Sequence, residues 1–236
     1  MINLLLSLAA GGVVFALLAL ALGFVWYAAA VPGFLVALGI FVVLARRSLA
    51  QLQALSERAQ KELVAQRIDR AIEILRGGFP LGKRQFWVTS MIHAELGSLL
   101  YVKKDFEAAR PHLEQSFQRS YFARAMLACY YFNQKQPAKM REQFEIAIKH
   151  GKKDGLIWSL YAYCHFKLGE KAEALKVLAR ATEENPSDEK LKANLLALQN
   201  NKKMKMKGYV PQFYQFHIEP LPQDGGGGRR VVWERR

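Results

Sequence analysis

The chain has 236 residues, 51% of them hydrophobic, and a formal net charge of +14. That length fits one or two folded units, and the charge attracts anionic lipid, acidic protein and nucleic acid alike without singling one out. The two cysteines, Cys129 and Cys164, form no C-x-x-C pair and lie near no metal-like histidine spacing. They read as small apolar side chains within helices, not as zinc ligands or redox centres.

Residues 1–45 contain no Asp, Glu, Lys or Arg, so every charged side chain follows Ala45. As a single helix this stretch would run about 67 Å, more than twice a hydrocarbon core of about 30 Å. It is therefore expected to cross a membrane twice, as a transmembrane helical hairpin over residues 1–45. Trp26 and Tyr27 suit a headgroup-level aromatic belt, and Val31-Pro32-Gly33 supplies a turn or break. That places the spans near residues 2–25 and 33–44. A turn near Gly23 is the alternative, which equalises the spans and leaves Pro32 as a kink within the second.

Arg46, Arg47, Arg58, Lys61, Arg67 and Arg70 follow the second span closely, whereas the hairpin loop carries no positive residue. This bias keeps the N-terminus and everything after the hairpin in the cytoplasm. Arg46 and Arg47 are the expected membrane-surface basic residues, each contributing about 1 kcal/mol against anionic headgroups. The rival reading is a cleaved secretory signal ending at Ala28-Ala29-Ala30. It lacks a Lys or Arg before the apolar run, and the run is longer than a signal core.

Residues 46–78 read as one connecting amphipathic helix. No Pro or Gly interrupts Arg46 to Arg76, and Leu49, Leu52, Leu55, Ala59, Leu63, Ile68, Ile72 and Leu75 form an apolar stripe. Gly77-Gly78 and Phe79-Pro80 end it. Packing on the next helices accounts for the stripe better than a coiled-coil stem, because its spacing is irregular.

Residues 86–204 carry an internal repetition. Gly97, Ala128 and Ala162 stand 31 and 34 residues apart, and so do Ala109, Met140 and Ala174. In each copy the first small residue lets one helix approach its neighbour, and the second sits where the following helix crosses it. Large apolar residues between them fill a core that no single pair can bury alone. Pro186 and Ser187-Asp188 start a further helix, over about residues 188–204, whose polar face suits a terminal cap.

This pattern resembles the tetratricopeptide repeat family, in a membrane-anchored form of bacterial type. The third copy matches best, from Trp158 through Leu168-Gly169 and Ala174 to Pro186. The second departs, with Gln136-Pro137 where an acidic-aromatic turn is usual and Met140 where Ala is usual. The first is short by three residues after its second helix. The resemblance covers about residues 90–188 and implies an all-α fold: a transmembrane hairpin followed by an α-solenoid of about three helix pairs and a capping helix.

It also implies that the first helices of successive pairs line a concave groove for a protein segment. The groove residues are then Ser98, Tyr101, Phe122, Cys129, Phe132, Tyr163 and Phe166, with Met91, Ala94, Ala125, Leu156 and Ser159 beside them. Tyr101, Phe132 and Phe166 occupy equivalent places as a ladder of rings; the competing reading makes some of these rings core. One subclass of the family clamps a C-terminal carboxylate with Lys, Arg and Asn, and no such set stands here. A hydrophobic or amphipathic partner segment is expected instead.

Residues 205–236 form a basic, aromatic and Gly-rich tail. Lys202, Lys203, Lys205 and Lys207 precede an aromatic segment, 209–218, and four glycines, 225–228, read as a flexible link. The aromatic segment either docks on the last repeat, enters the groove in cis, or serves as a partner-binding peptide. The terminal Arg/Trp cluster has no recognised nucleic-acid module around it, so a nucleic-acid role is not expected.

There is no phosphate-binding loop motif, dinucleotide fingerprint, H-E-x-x-H or G-x-S-x-G. His93, His112, His150, His165 and His217 are scattered. No catalytic residue, metal or cofactor is expected. The expected role is a non-enzymatic, membrane-tethered scaffold or assembly factor. The alternative is a structural subunit that joins a larger membrane complex through small hairpin residues such as Gly11, Gly12, Ala16 and Ala19.

Overall fold

The charge-free run folds as two antiparallel helices, α1 (Ile2–Ala16), continued by a π-helical turn at Leu17–Ala21, and α2 (Trp26–Val64). The computed structural model describes residues 1–21, 23 and 25–220, and among them there is helix, turn and loop but no strand. The described chain divides into two compact units, residues 1–92 and residues 93 onward.

In the first unit the hairpin turns around Gly23, whose φ of +67° is left-handed, a conformation that costs other residues roughly 1 kcal/mol or more. The expected turn at Val31-Pro32-Gly33 is not there: α2 starts at Trp26 and runs through Pro32. A proline this close to a helix start removes one early backbone bond, which an apolar helix packed on a neighbour tolerates. The second charge-free helical stretch is thus as long as the first, 26–45 against Ile2–Ala21, each about 30 Å by helical rise.

The helices touch at glycine. A Cβ on Gly11 would lie 2.5 Å from the Gly33 carbonyl oxygen and 2.7 Å from the Ala37 Cβ. Toward the open end, Asn3 Nδ2 donates to Ser48 Oγ at 2.9 Å, with Leu44 O and Gln85 Oε1 each at 3.3 Å. The N-terminal ammonium donates to the Lys83 carbonyl at 2.8 Å and the Asn3 N–H to that of Arg84 at 3.2 Å. Asn3, Ser7, Ser48 and Gln85 are buried, while leucines and Phe34 face outward.

The connecting segment is not one helix. α2 ends at Val64, and α3 (Ile68–Arg76) folds back on it. Gln66 takes φ +61°, and the Arg67 N–H reaches the Glu62 carbonyl at 2.8 Å, a six-to-one helix-ending bond. An Arg67–Glu62 ion pair of 3.1 Å spans the same turn. No Gly or Pro marks the break, so composition did not reveal it. Leu52, Val88 and Ile92 form a core with Leu55, Phe79, Leu81, Trp87 and Met91 around it.

The repeats are helix pairs: α4 (Phe86–Val102) with α5 (Phe106–Glu114), α6 (Tyr121–Asn133) with α7 (Pro137–His150), and α8 (Gly155–Lys167) with α9 (Lys171–Glu184). α10 (Glu189–Gln199) packs on α9 and is shorter than the expected 188–204; it ends at Gln199, and Asn201 just beyond it takes φ +56°. Asp105, Asp154 and Asp188 cap α5, α8 and α10 by accepting backbone N–H bonds, and Pro137 opens α7.

Each first helix ends alike. Lys104, Lys135 and Gly169 are left-handed, and the next residue's N–H bonds back to Leu100, Tyr131 and His165 at 2.9–3.0 Å. Gln66 and Asn201 repeat the device after α2 and α10. The small residues do what their spacing requires: Ala128, Ala162, Ala109, Met140 and Ala174 have no exposed surface, and a Cβ on Gly97 would meet the Leu113 backbone nitrogen at 2.9 Å. Phe144 stacks on Tyr161 with ring centroids 4.9 Å apart.

Candidate partner-binding groove

The first helices α4, α6 and α8 present Tyr101, Phe122, Tyr163 and Ser159 to one strip of chain, and that strip is the protein's own residues 204–219. Of the three placements open to the aromatic segment, the one in the groove is observed. It leaves α10 and runs back across α8 toward α6 and α4, the reverse of chain order.

Its grip begins on main chain. Asn194, itself buried, accepts the Lys205 N–H at 2.8 Å, with its amide 3.4 Å from the Lys205 carbonyl. Lys190 donates to the Gly208 carbonyl at 2.7 Å and lies over the Tyr209 ring. Tyr101 Oη donates to the Phe216 carbonyl at 2.8 Å, and Asn133 reaches the His217 carbonyl at 3.4 Å. Such contacts hold any sequence with a free carbonyl.

Ring contacts read the side chains. Phe213 meets Tyr163 edge-on with centroids 5.6 Å apart, and Phe216 meets Phe122 at 4.9 Å. His217 lies against Tyr101 and Phe106, 5.6 and 5.5 Å away. Tyr209 Oη accepts from Ser159 Oγ at 2.9 Å. Phe213 and Phe216 are almost wholly buried, as is Tyr101 beneath them. Aromatic faces meeting edge-on add to the area term.

A charged contact closes the strip, which comes back to α8. Glu219 pairs with Lys167 at 2.7 Å and accepts from the Tyr163 hydroxyl. These two bonds hold the Glu219 carboxyl below its usual range. Burial pushes the Tyr163 hydroxyl up to about 12 and Tyr209 likewise to about 12, so both stay protonated donors or acceptors at neutral pH. Burial also lowers the His217 imidazole from its ordinary value.

The expected groove residues divide. Tyr101, Phe122 and Tyr163 touch the strip. Cys129 is fully buried, and burial together with neighbouring Cys164 raises its thiol well above the usual value; both thiols are free. Cys129 is therefore floor rather than a reachable contact. Ser98 turns its hydroxyl to the Ala94 carbonyl at 2.7 Å within α4. Phe132 and Phe166 are half-buried, and Phe166 packs beside Tyr163 with centroids 6.3 Å apart. Arg46 and Arg47 are exposed on α2, next to buried Ser48.

Asn133, Lys167, Lys190, Asn194 and Phe106 were not among the expected residues. Asn133 and Lys167 directly follow Phe132 and Phe166, so a one-residue extension of the aromatic ladder would have found them. His93 and His112, read as scattered, meet with Nδ1 atoms 2.7 Å apart. Among the described residues no cluster of His, Cys, Asp or Glu has the make-up of a metal site.

Stacked helix pairs with a shared first-helix face define a helical-repeat protein. A family model described as tetratricopeptide repeat matches residues 125–189, from within α6 to the start of α10, so the chain is similar to that family across its second and third helix pairs. Repeats of this kind generally mediate protein–protein interaction and are typically non-catalytic. No curated protein matches the chain.

Proposed function

We propose that this protein is a non-enzymatic, membrane-tethered scaffold or assembly factor whose repeat unit works in the cytoplasm and captures a hydrophobic or amphipathic partner segment on the first-helix face. The observation that carries the binding half is the groove's occupancy: Tyr101, Phe122 and Tyr163 hold an aromatic segment through rings and main-chain bonds. The tethering half rests on the hairpin's surface. Ile2–Ala21 and the first part of α2 are long and apolar enough to cross a membrane, and Leu20 and Phe34 leave 85% and 66% of their surface uncovered. A core helix of a water-soluble unit would bury such residues.

Arg46 and Arg47, exposed where the apolar surface ends, suit anionic headgroups. Tethering raises the effective concentration for partners on the same membrane.

A second reading, a structural subunit joined through the hairpin, is favoured by one observation. Gly12 and Gly39 have open space where a side chain would be, as a helix from another chain would require. Pull-downs from membranes separate the readings, comparing wild type with Phe122/Phe132/Phe166→Ala and Gly12/Gly39→Leu variants. Loss of a specific partner in the first variant alone supports the groove; loss in the second alone selects the subunit reading. Unchanged partner lists reject both. For topology, a protease site placed at exposed Lys152-Lys153 is expected to be cut only from the cytoplasmic side of sealed vesicles.

A further inference from the structure

The groove's occupant carries more than a tail's position. We infer that residues 209–219 are an internal ligand, held in place until an external protein segment of the same chemistry replaces them. That segment has aromatic side chains at relative positions 0, 4 and 7 and a carboxylate at 10, as in Tyr209, Phe213, Phe216 and Glu219. This rests on the partner-binding reading above and adds the partner's chemical pattern.

Three features support exchange rather than a permanent fill. The strip has no regular helix of its own beyond short 3-10 turns at Lys207–Tyr209 and Gln212–Phe216. Its ordering therefore depends on the groove. The groove grips the main chain at Gly208, Phe216 and His217, where any incoming segment offers the same carbonyl. And the strip is bounded by exposed chain: Lys202 and Lys203 on one side, Val210, Pro211 and Gln212 in its middle.

The physical reason for the pattern is that an empty groove is costly. Release of Phe213 and Phe216 would wet Tyr101, Phe122 and the floor beneath them, so the occupant must be swapped for equivalent rings. The carboxylate follows from Lys167, which would otherwise lose its partner at the rim. A short tether gives the internal ligand an effective concentration on the order of millimolar. An external segment competes when it is itself concentrated on the same membrane.

The test uses the full chain in nanodiscs, with a specific protease site replacing exposed Lys202-Lys203 and a fluorophore on the cut tail. After cleavage, a peptide of sequence 205–220 is expected to chase the labelled tail off while the helical signal of the remainder persists. The same peptide with Ala at positions 209, 213 and 216 should compete about 30-fold or more weakly. A peptide with Glu219→Lys should compete less well against wild type and recover against a Lys167→Glu chain. A tail that never exchanges, or helical signal that collapses as it leaves, makes the strip fixed core and overturns the inference. Exchange without partner loss in the membrane pull-downs would instead count against the scaffold reading alone.

Discussion

The hairpin and the repeats are both made of antiparallel helix pairs, yet they are packed inside out with respect to each other. Between α1 and α2 the buried side chains are Asn3, Ser7 and Ser48 with Gly11 and Gly33, and leucines face outward. Between α6, α7, α8 and α9 the buried ones are Phe144, Tyr161, Leu160 and Leu178, and lysines and glutamates face outward. Backbone geometry is common to both; under the membrane tethering proposed above, the surrounding medium is not. Where lipid surrounds a helix, apolar contact between helices gains little, so close approach and hydrogen bonds hold the pair. In water the area term dominates.

The comparison breaks first at Phe144. Phe144→Ala is expected to cost about 3–5 kcal/mol in thermal unfolding of the repeat unit, whereas Leu20→Ala, at 85% exposure, should stay within about 0.5 kcal/mol in detergent. Equal costs would mean that the outward hairpin leucines are covered by protein. Next is Gly11→Leu, whose side chain collides with Gly33 and Ala37. About 1–3 kcal/mol of overpacking should appear as faster hydrogen exchange along α1 in a nanodisc, with Gly12→Leu unchanged unless a second chain sits there.

A third experiment concerns pH. Burial, and to a lesser degree Lys104, lower the His217 imidazole in the docked strip below its ordinary 6.5, against weaker opposing bonds to the Val102 and Tyr101 carbonyls. The docked form therefore binds fewer protons than the released one. Docking is strongest above 6.5 and weakens as pH falls through that value. Exchange of the cut tail should be easier at about pH 5.5 than at about pH 7.5, and His217→Gln should flatten the difference.

The smallest effects lie in the helix-ending turns. Lys135→Gly relieves a left-handed lysine and, after glycine's larger entropy loss on folding, should stabilise by about 0.5–1 kcal/mol, while Gly169→Ala should cost about 1 kcal/mol. Thermal melts of both, in one background, test whether the turns are equivalent.

Much of this was legible from side-chain chemistry alone. The charge-free run, the small residues at Gly97, Ala128 and Ala162, and the helix start at Ser187-Asp188 are patterns of composition and spacing. The turn at Gly23 was harder, because Pro32-Gly33 offers a louder local signal that the packing of Gly33 on α1 overrides. The α2–α3 break was hidden because Gln66 adopts a glycine-like backbone that its side chain does not advertise. In the groove, Tyr101, Phe122 and Tyr163 followed from the repeat register. Asn194 and Lys190 did not, since they lie on the helix that resembled only a cap. That a tail with aromatic residues four and three apart would fill the groove was one of three open choices, decided by tertiary contacts.

The strip's reversed path has a mechanical consequence. A linear array of repeats unravels from its ends, each terminal pair having only one neighbour. Here the stretch leaving α10 reaches Tyr101 near the opposite end, so the array is strapped shut like a bound sheaf. Fraying at either end has to undo the same knot of Phe213, Phe216 and Tyr101. A segment that takes the strap's place without being joined to α10 would restore the filling but not the strap, leaving a looser, more springy stack wherever it is captured.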